Sequence, residues 1–130
     1  MIVLDTQILL FDVLEPKRLS RRAKHALAEG TQDGTLACSD ISLWEIAWLA
    51  AKGRIDCGPD AAAFIDDTLQ SRSVRVLPIN AQIAVIAQSD AFDHGDPADR
   101  LIAATAMAHR ATLVSADLRL RKLAAVRVIW

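Results

Sequence analysis

Five acidic side chains in this 130-residue chain stand beside segments whose composition marks them for burial, where an idle carboxylate is costly. Asp5 ends the apolar run Met1-Ile2-Val3-Leu4, and Glu45 is the only charge in Leu43-Trp44-Glu45-Ile46-Ala47-Trp48-Leu49-Ala50. Asp96 and Asp99 open a segment rich in Ala and Leu, and Asp117 follows Ala111-Thr112-Leu113-Val114-Ser115. If these acids meet, their mutual repulsion raises at least one pKa sharply and favours a divalent cation over an empty site. Oxygen donors without matching His or Cys suit Mg2+, with Mn2+ as substitute, better than zinc. A cation so held clamps phosphate oxygens, lowers the pKa of a bound water and offsets charge on a leaving oxygen, which is chemistry for phosphodiesters. No Ser-His-Asp order, Gly-rich phosphate loop or CxxC set offers a competing mechanism.

Each acid also has a plain structural account. Asp96 suits a helix N-cap, with Pro97 in the first turn and Asp99 near the positive end of the helix. Asp5 can cap a helix over 7–14, and Ser42-Leu43-Trp44-Glu45 fits a capping box. A Glu set between Trp44 and Ile46 nevertheless risks costly burial unless something positive meets it. The two accounts separate on whether the fold gathers the acids.

The elements that must gather them read as short apolar strands over 1–4, 35–38, 74–77, 111–115 and 126–129, alternating with helices. The first strand has no polar alternation, as expected when both faces are covered, and Arg127 suggests that the last is an edge. The helices are expected over 7–14, closed by Pro16, over 21–29, opened by Ser20 and stopped by Gly30, and over 43–50, ending near Gly53. Others run from Pro59-Asp60 to about 71, from the cap Asn80 to about 89, from Pro97 to about 107 and from 118 to 124. Such alternation without hairpin turns predicts a parallel sheet with helices on both faces. All strand C-termini then lie on one edge, where α/β sheets bind ligands, and Asp5 and Asp117 share it. Helices that begin at that edge bring Glu45, Asp96 and Asp99 to it. Trp44 and Trp48, spaced i, i+4, are expected in the core rather than as a base-stacking platform, and His94 reads as an exposed loop residue rather than a ligand.

Composition narrows the class. A chain of this length that is 52% hydrophobic is expected to form one domain over 1–130, folded rather than disordered. Its apolar runs are too short for a membrane span and no leader pattern precedes Met1-Ile2-Val3, so a cytoplasmic protein without a membrane partner is expected. Cys38 and Cys57 lack ligand spacing and are expected as free thiols, Cys38 in the core. A formal charge of −1 exerts no global pull on polyanions. The basic stretch Lys17, Arg18, Arg21, Arg22, Lys24 and His25 reads as a solvated helix face, with phosphate contact as the alternative.

Leu4-Asp5-Thr6, Ser42-Leu43-Trp44-Glu45-Ile46-Ala47, Asp96-Pro97-Ala98-Asp99-Arg100-Leu101-Ile102-Ala103 and Val114-Ser115-Ala116-Asp117, in this order over nearly the whole chain, resemble the PIN-domain family, specifically the VapC-type toxins of bacterial toxin–antitoxin pairs. The resemblance implies an α/β protein, a three-layer α/β/α PIN-like domain with a central parallel sheet. It implies a Mg2+-dependent endoribonuclease acting on an RNA substrate, expected as a homodimer and inhibited by a cognate antitoxin that usually also binds DNA. The matching positions make Asp5, Glu45, Asp99 and Asp117 the metal and catalytic acids. Asp96 matches a feature of one subgroup, as a cap or a support for the ligands, and Thr6 and Ser115 match small hydroxyl positions that orient carboxylates or water.

Two positions depart from the pattern: Gln7 stands where relatives often have His, Asn or Ser, and Arg119 where a further acid is common. They bear on a second metal more than on the first. A metal-dependent phosphoacceptor signalling domain would want paired acids after the first strand and a late Lys at a strand end, and a haloacid-type phosphatase an Asp-x-Asp; the chain has neither. A catalytically silent PIN-like binding module would show the loss of an acid, and all four are present. The apolar face of the Trp44 and Trp48 helix is one candidate surface for the antitoxin.

Overall fold

Side chains along the central strands alternate between two apolar layers. Val3, Ala37 and Leu113 belong to one, while Leu4, Cys38 and Val114 belong to the other, all of them at most 1% exposed. That alternation explains why the only polar residues of these strands, Ser39 and Thr112, stand at strand ends: each face is covered by helices. The computed structural model describes residues 1–92 and 95–130, so the expected exposure of His94 lies outside the described residues.

The elements run β1 (Ile2–Leu4), α1 (Thr6–Leu14), a 3₁₀ turn (Pro16–Arg18), α2 (Arg21–Asp33), β2 (Leu36–Ser39), α3 (Ile41–Ala51), α4 (Ala61–Ser71), β3 (Arg75–Leu77), α5 (Ala81–Ile86), α6 (Pro97–Ala108), β4 (Thr112–Val114), α7 (Leu118–Arg121) and β5 (Val128–Ile129). The five strands are all parallel in the order β3-β2-β1-β4-β5. Residues of α1, α2, α3 and α4 pack on one face, including Ile8, Leu27, Ile46 and Phe64. Those of α5, α6 and α7 pack on the other, including Ile83, Ile102 and Leu120. The result is the expected three-layer α/β/α architecture. The winding reverses between β1 and β4, and a crevice opens beyond the strand C-termini at such a reversal.

Local chemistry sets the helix starts. Ser20, Asp60, Asn80 and Asp96 each accept a hydrogen bond from an amide in the first turn of the helix that follows. The edge place of β5, the exposure of the basic stretch and the core burial of Cys38 agree with the sequence reading. Among the described residues no helix is long and apolar enough to cross a membrane.

Three local expectations are corrected. Gly30 does not stop α2, which continues to Asp33 and ends on Gly34 at φ +66°, a left-handed conformation natural to glycine. Gly30 instead lets α2 lie against β2, since a Cβ there would stand 2.2 Å from Leu36 Cδ2. Ser42 is no cap: α3 already begins at Ile41, and the carboxylate of Asp40 before it accepts from the Ile79 amide at 3.2 Å. The helices α5 and α7 also stop about one turn short of their expected ends, at Ile86 and Arg121.

Candidate functional site

Asp5 is the pivot of the crevice. Its amide donates to the Val114 carbonyl at 3.0 Å, which fixes the residue between the ends of β1 and β4. It occupies the N-cap position of α1 without a capping bond from its side chain. Oδ2 instead accepts from the Ser115 hydroxyl at 2.6 Å, and the whole residue is only 5% exposed. The Ser115 oxygen accepts in turn from the Asp117 amide at 3.1 Å, so one buried hydroxyl ties the first acid to the last.

The second acid is held from across the crevice. The Thr6 hydroxyl donates to Glu45 Oε1 at 2.5 Å and lies 2.8 Å from the Ser42 hydroxyl. Thr6 has one hydroxyl proton, so Ser42 donates to Thr6 while Thr6 donates to Glu45. Burial of Thr6 and Ser42 makes this relay a tie between α1 and α3. Glu45 is only half-buried, and in place of the positive partner expected for it stands a neutral donor.

The remaining acids come from α6 and α7. Asp96 Oδ1 accepts from the Ala98 and Asp99 amides at 3.0 and 3.3 Å, which starts α6 and places Asp99 in its first turn. Asp117 caps α7 by accepting from the Arg119 amide at 2.7 Å and from the Leu120 amide at 3.4 Å. The Arg119 guanidinium spans the gap between these helices, with Nη2 3.5 Å from Asp99 Oδ2 and 3.3 Å from Asp117 Oδ2.

All five acids, with Thr6 and Arg119, line one cleft of about 590 Å³. Ser115 acts from behind it, through Asp5. The rest of its lining is largely apolar, with Ile41, Trp44, Trp48 and Leu49 from the helix that carries Glu45 and Leu101 from the helix that carries Asp99. Here the core expectation for the tryptophans fails, because Trp44 is 60% and Trp48 37% exposed. Positions 41, 44, 45, 48 and 49 form one helical stripe, and that stripe faces the cleft. Its periodicity is that of a core face, so spacing alone could not tell the two apart.

The carboxylates perturb one another. Burial chiefly raises Asp99, with repulsion from Asp5, Asp96, Asp117 and Glu45 adding to it, and its carboxyl is pushed up to about 7. Asp5 is raised by burial against the opposing hydrogen bonds from Ser115 and the Thr6 backbone, and Glu45 by burial against the bond from Thr6. Burial would raise Asp117 as well, but hydrogen bonds from the Arg119 side chain and from the Arg119 and Leu120 amides outweigh it and hold this acid below its ordinary value.

Among the described residues no three His, Cys, Asp or Glu side chains close on one ion-sized point. The acids surround the cleft, and the cation in contact with two of them is Arg119. In donor type and charge the set nonetheless fits a hard divalent cation, because the oxygen donors repel one another and an added cation relieves that repulsion. Sequence reasoning missed the Ser42 relay and the contact of Arg119 with Asp99. The i, i+3 spacing of Ser42 and Glu45 was the available signal for the first.

A fold of this topology, with acids gathered beyond the ends of β1 and β4, defines a class, and the chain matches it over most of its length: the family model described as PIN domain covers residues 2–126. The chain belongs to the PIN-domain family. It is 38% identical over 121 residues to "Ribonuclease VapC22" of Mycobacterium tuberculosis (strain ATCC 25618 / H37Rv), covering 92% of this chain and 89% of that one. Among solved structures it is similar to VapBC2 from Rickettsia felis, bound to a DNA fragment from its promoter, with a TM-score of 0.74 at 21% identity over 99% of this chain and 98% of the other. A toxin-antitoxin complex from Klebsiella pneumoniae has a TM-score of 0.63, also at 21% identity, over 100% and 97% of the two chains. At these identities the two structures bear on the fold alone.

Proposed function

We propose that this chain is a divalent-metal-dependent endoribonuclease, the VapC-type toxin of a toxin–antitoxin pair. The observation that carries the reading is the gathering of Asp5, Glu45, Asp99 and Asp117 in one cleft. The 38% identity to a VapC ribonuclease of Mycobacterium tuberculosis supports ribonuclease activity, and the occurrence of this fold in toxin–antitoxin complexes is in keeping with a cognate antitoxin as partner. On this reading the protein is one domain that acts in the cytoplasm as a homodimer, free of the membrane, and its antitoxin restrains it.

Asp5, Glu45, Asp99 and Asp117 are the residues that would hold Mg2+, or Mn2+ in its place. Bound there, the ion supplies a phosphate clamp and a water of lowered pKa. The chain's own residues prepare the ligands. Ser115 fixes Oδ2 of Asp5 and Thr6 fixes Oε1 of Glu45, so rotamer freedom at both acids is removed before any ligand arrives. Asp96 sets the start of α6 and with it the position of Asp99. The apolar side chains that share the cleft limit water around the acids, which strengthens their attraction for a bound cation.

The test is cleavage of structured RNAs with and without Mg2+, with the cleavage ends mapped. Asp5→Asn and Asp99→Asn each delete a charge at nearly constant volume, so each is expected to lower turnover by at least about 100-fold with the fold retained by circular dichroism. Equal turnover by Asp99→Asn and the parent would contradict the assignment.

A further inference from the structure

The cleft divides into two halves that are neutralised differently. Asp5 and Glu45 are held by hydroxyls, at 2.6 Å from Ser115 and 2.5 Å from Thr6. A hydroxyl bonded to one carboxylate oxygen leaves the other available, so these bonds can persist when a cation enters. Asp99 and Asp117 are held instead by a charge, Nη2 of Arg119 at 3.5 and 3.3 Å. Arg119 is the one cation among the described residues lining the cleft. Its backbone is anchored by the 2.7 Å bond from its amide to Asp117, while its side chain is 55% exposed and has room to swing outward. A guanidinium and a divalent ion on the same two carboxylates repel each other at close range.

Resting on the metal-dependent reading above, we propose that Arg119 is a tethered counter-ion: it occupies Asp99 and Asp117 until a divalent cation displaces it, and so sets how tightly that cation is held. It is a positioning residue that acts through the two acids. Its removal leaves the α7 cap intact, because the cap is made by backbone amides.

The experiment is calorimetric titration of Mn2+ into the metal-free parent, Arg119→Gln and Arg119→Lys, with thermal melting of each at zero and saturating Mn2+. Arg119→Gln should bind Mn2+ about 5- to 20-fold more tightly than the parent. Without metal it should melt lower than the parent, and saturating Mn2+ should narrow that gap, because coupling between two ligands of one site is reciprocal. Arg119→Lys keeps a cation and should stay nearer the parent. Equal or weaker binding by Arg119→Gln overturns the proposal and leaves the nuclease reading standing, as does a lysine variant that tracks the glutamine one. Absence of Mn2+ binding in all three overturns both.

Discussion

At Asp99 the carboxyl keeps its proton up to about 7 in the folded, metal-free protein, against an ordinary value of 3.8. Between those limits the folded state binds more protons than the unfolded one, so this residue makes the protein less stable as pH rises through the window. Asp5 and Glu45, raised chiefly by burial, act in the same direction. Asp117 acts oppositely: its contribution is present above its ordinary value and is lost as pH falls through the lowered one. The difference in melting temperature between Asp99→Asn and the parent, both without metal, should therefore shift in favour of the variant from pH 4 to pH 7, the interval bounded by the two values above. Parallel curves for the two proteins would show that Asp99 does not titrate in that range.

The site depends on how closely helices approach the sheet. The α2 backbone comes against β2 at Gly30, where an added Cβ would meet Leu36 Cδ2 at 2.2 Å and Cγ at 2.8 Å. Leu36 is fully buried and cannot swing away, so Gly30→Ala has to push α2 off the strand. We expect a loss of about 1–3 kcal/mol, read from the denaturant midpoint, as for other overpacked cores. A midpoint equal to that of the parent would mean that α2 can shift freely. Such a shift would also release Ile2, whose Cδ1 lies 3.4 Å from the same point, in the strand that leads directly into Asp5.

For the molecule as a whole, repulsion in the cleft is a standing cost that a bound cation offsets. Mg2+ or Mn2+ at a hundredfold excess over Kd should stabilise the parent by about 2.7 kcal/mol, seen as a rise in melting temperature. Asp99→Asn should lose most of that rise, and a parent unmoved by either ion would argue against a metal site. The acids are far apart in sequence, and the sheet with its flanking helices brings them together. Asp5 and Ser115, 110 positions apart, meet because β1 and β4 are neighbours.

Much of this was legible before folding. Apolar runs without alternation marked parallel strands covered on both faces, and in such a sheet every strand end lies on one rim, which placed Asp5 and Asp117 together by topology alone. Asp96 and Pro97 marked the start of α6, because capping is a local hydrogen-bond requirement. What lies opposite a local feature is not written in its own spacing. The stripe of Ile41, Trp44, Glu45, Trp48 and Leu49 has the period of a buried face whether a neighbouring helix or an open cleft stands before it, and only the packed chain leaves Trp44 exposed. Gly30 reads as a stop until Leu36 is seen against it, and Ser42 as a cap until Thr6 is. Arg119 belongs to α7 by sequence, but its hold on Asp99 exists because tertiary packing sets the starts of α6 and α7 side by side.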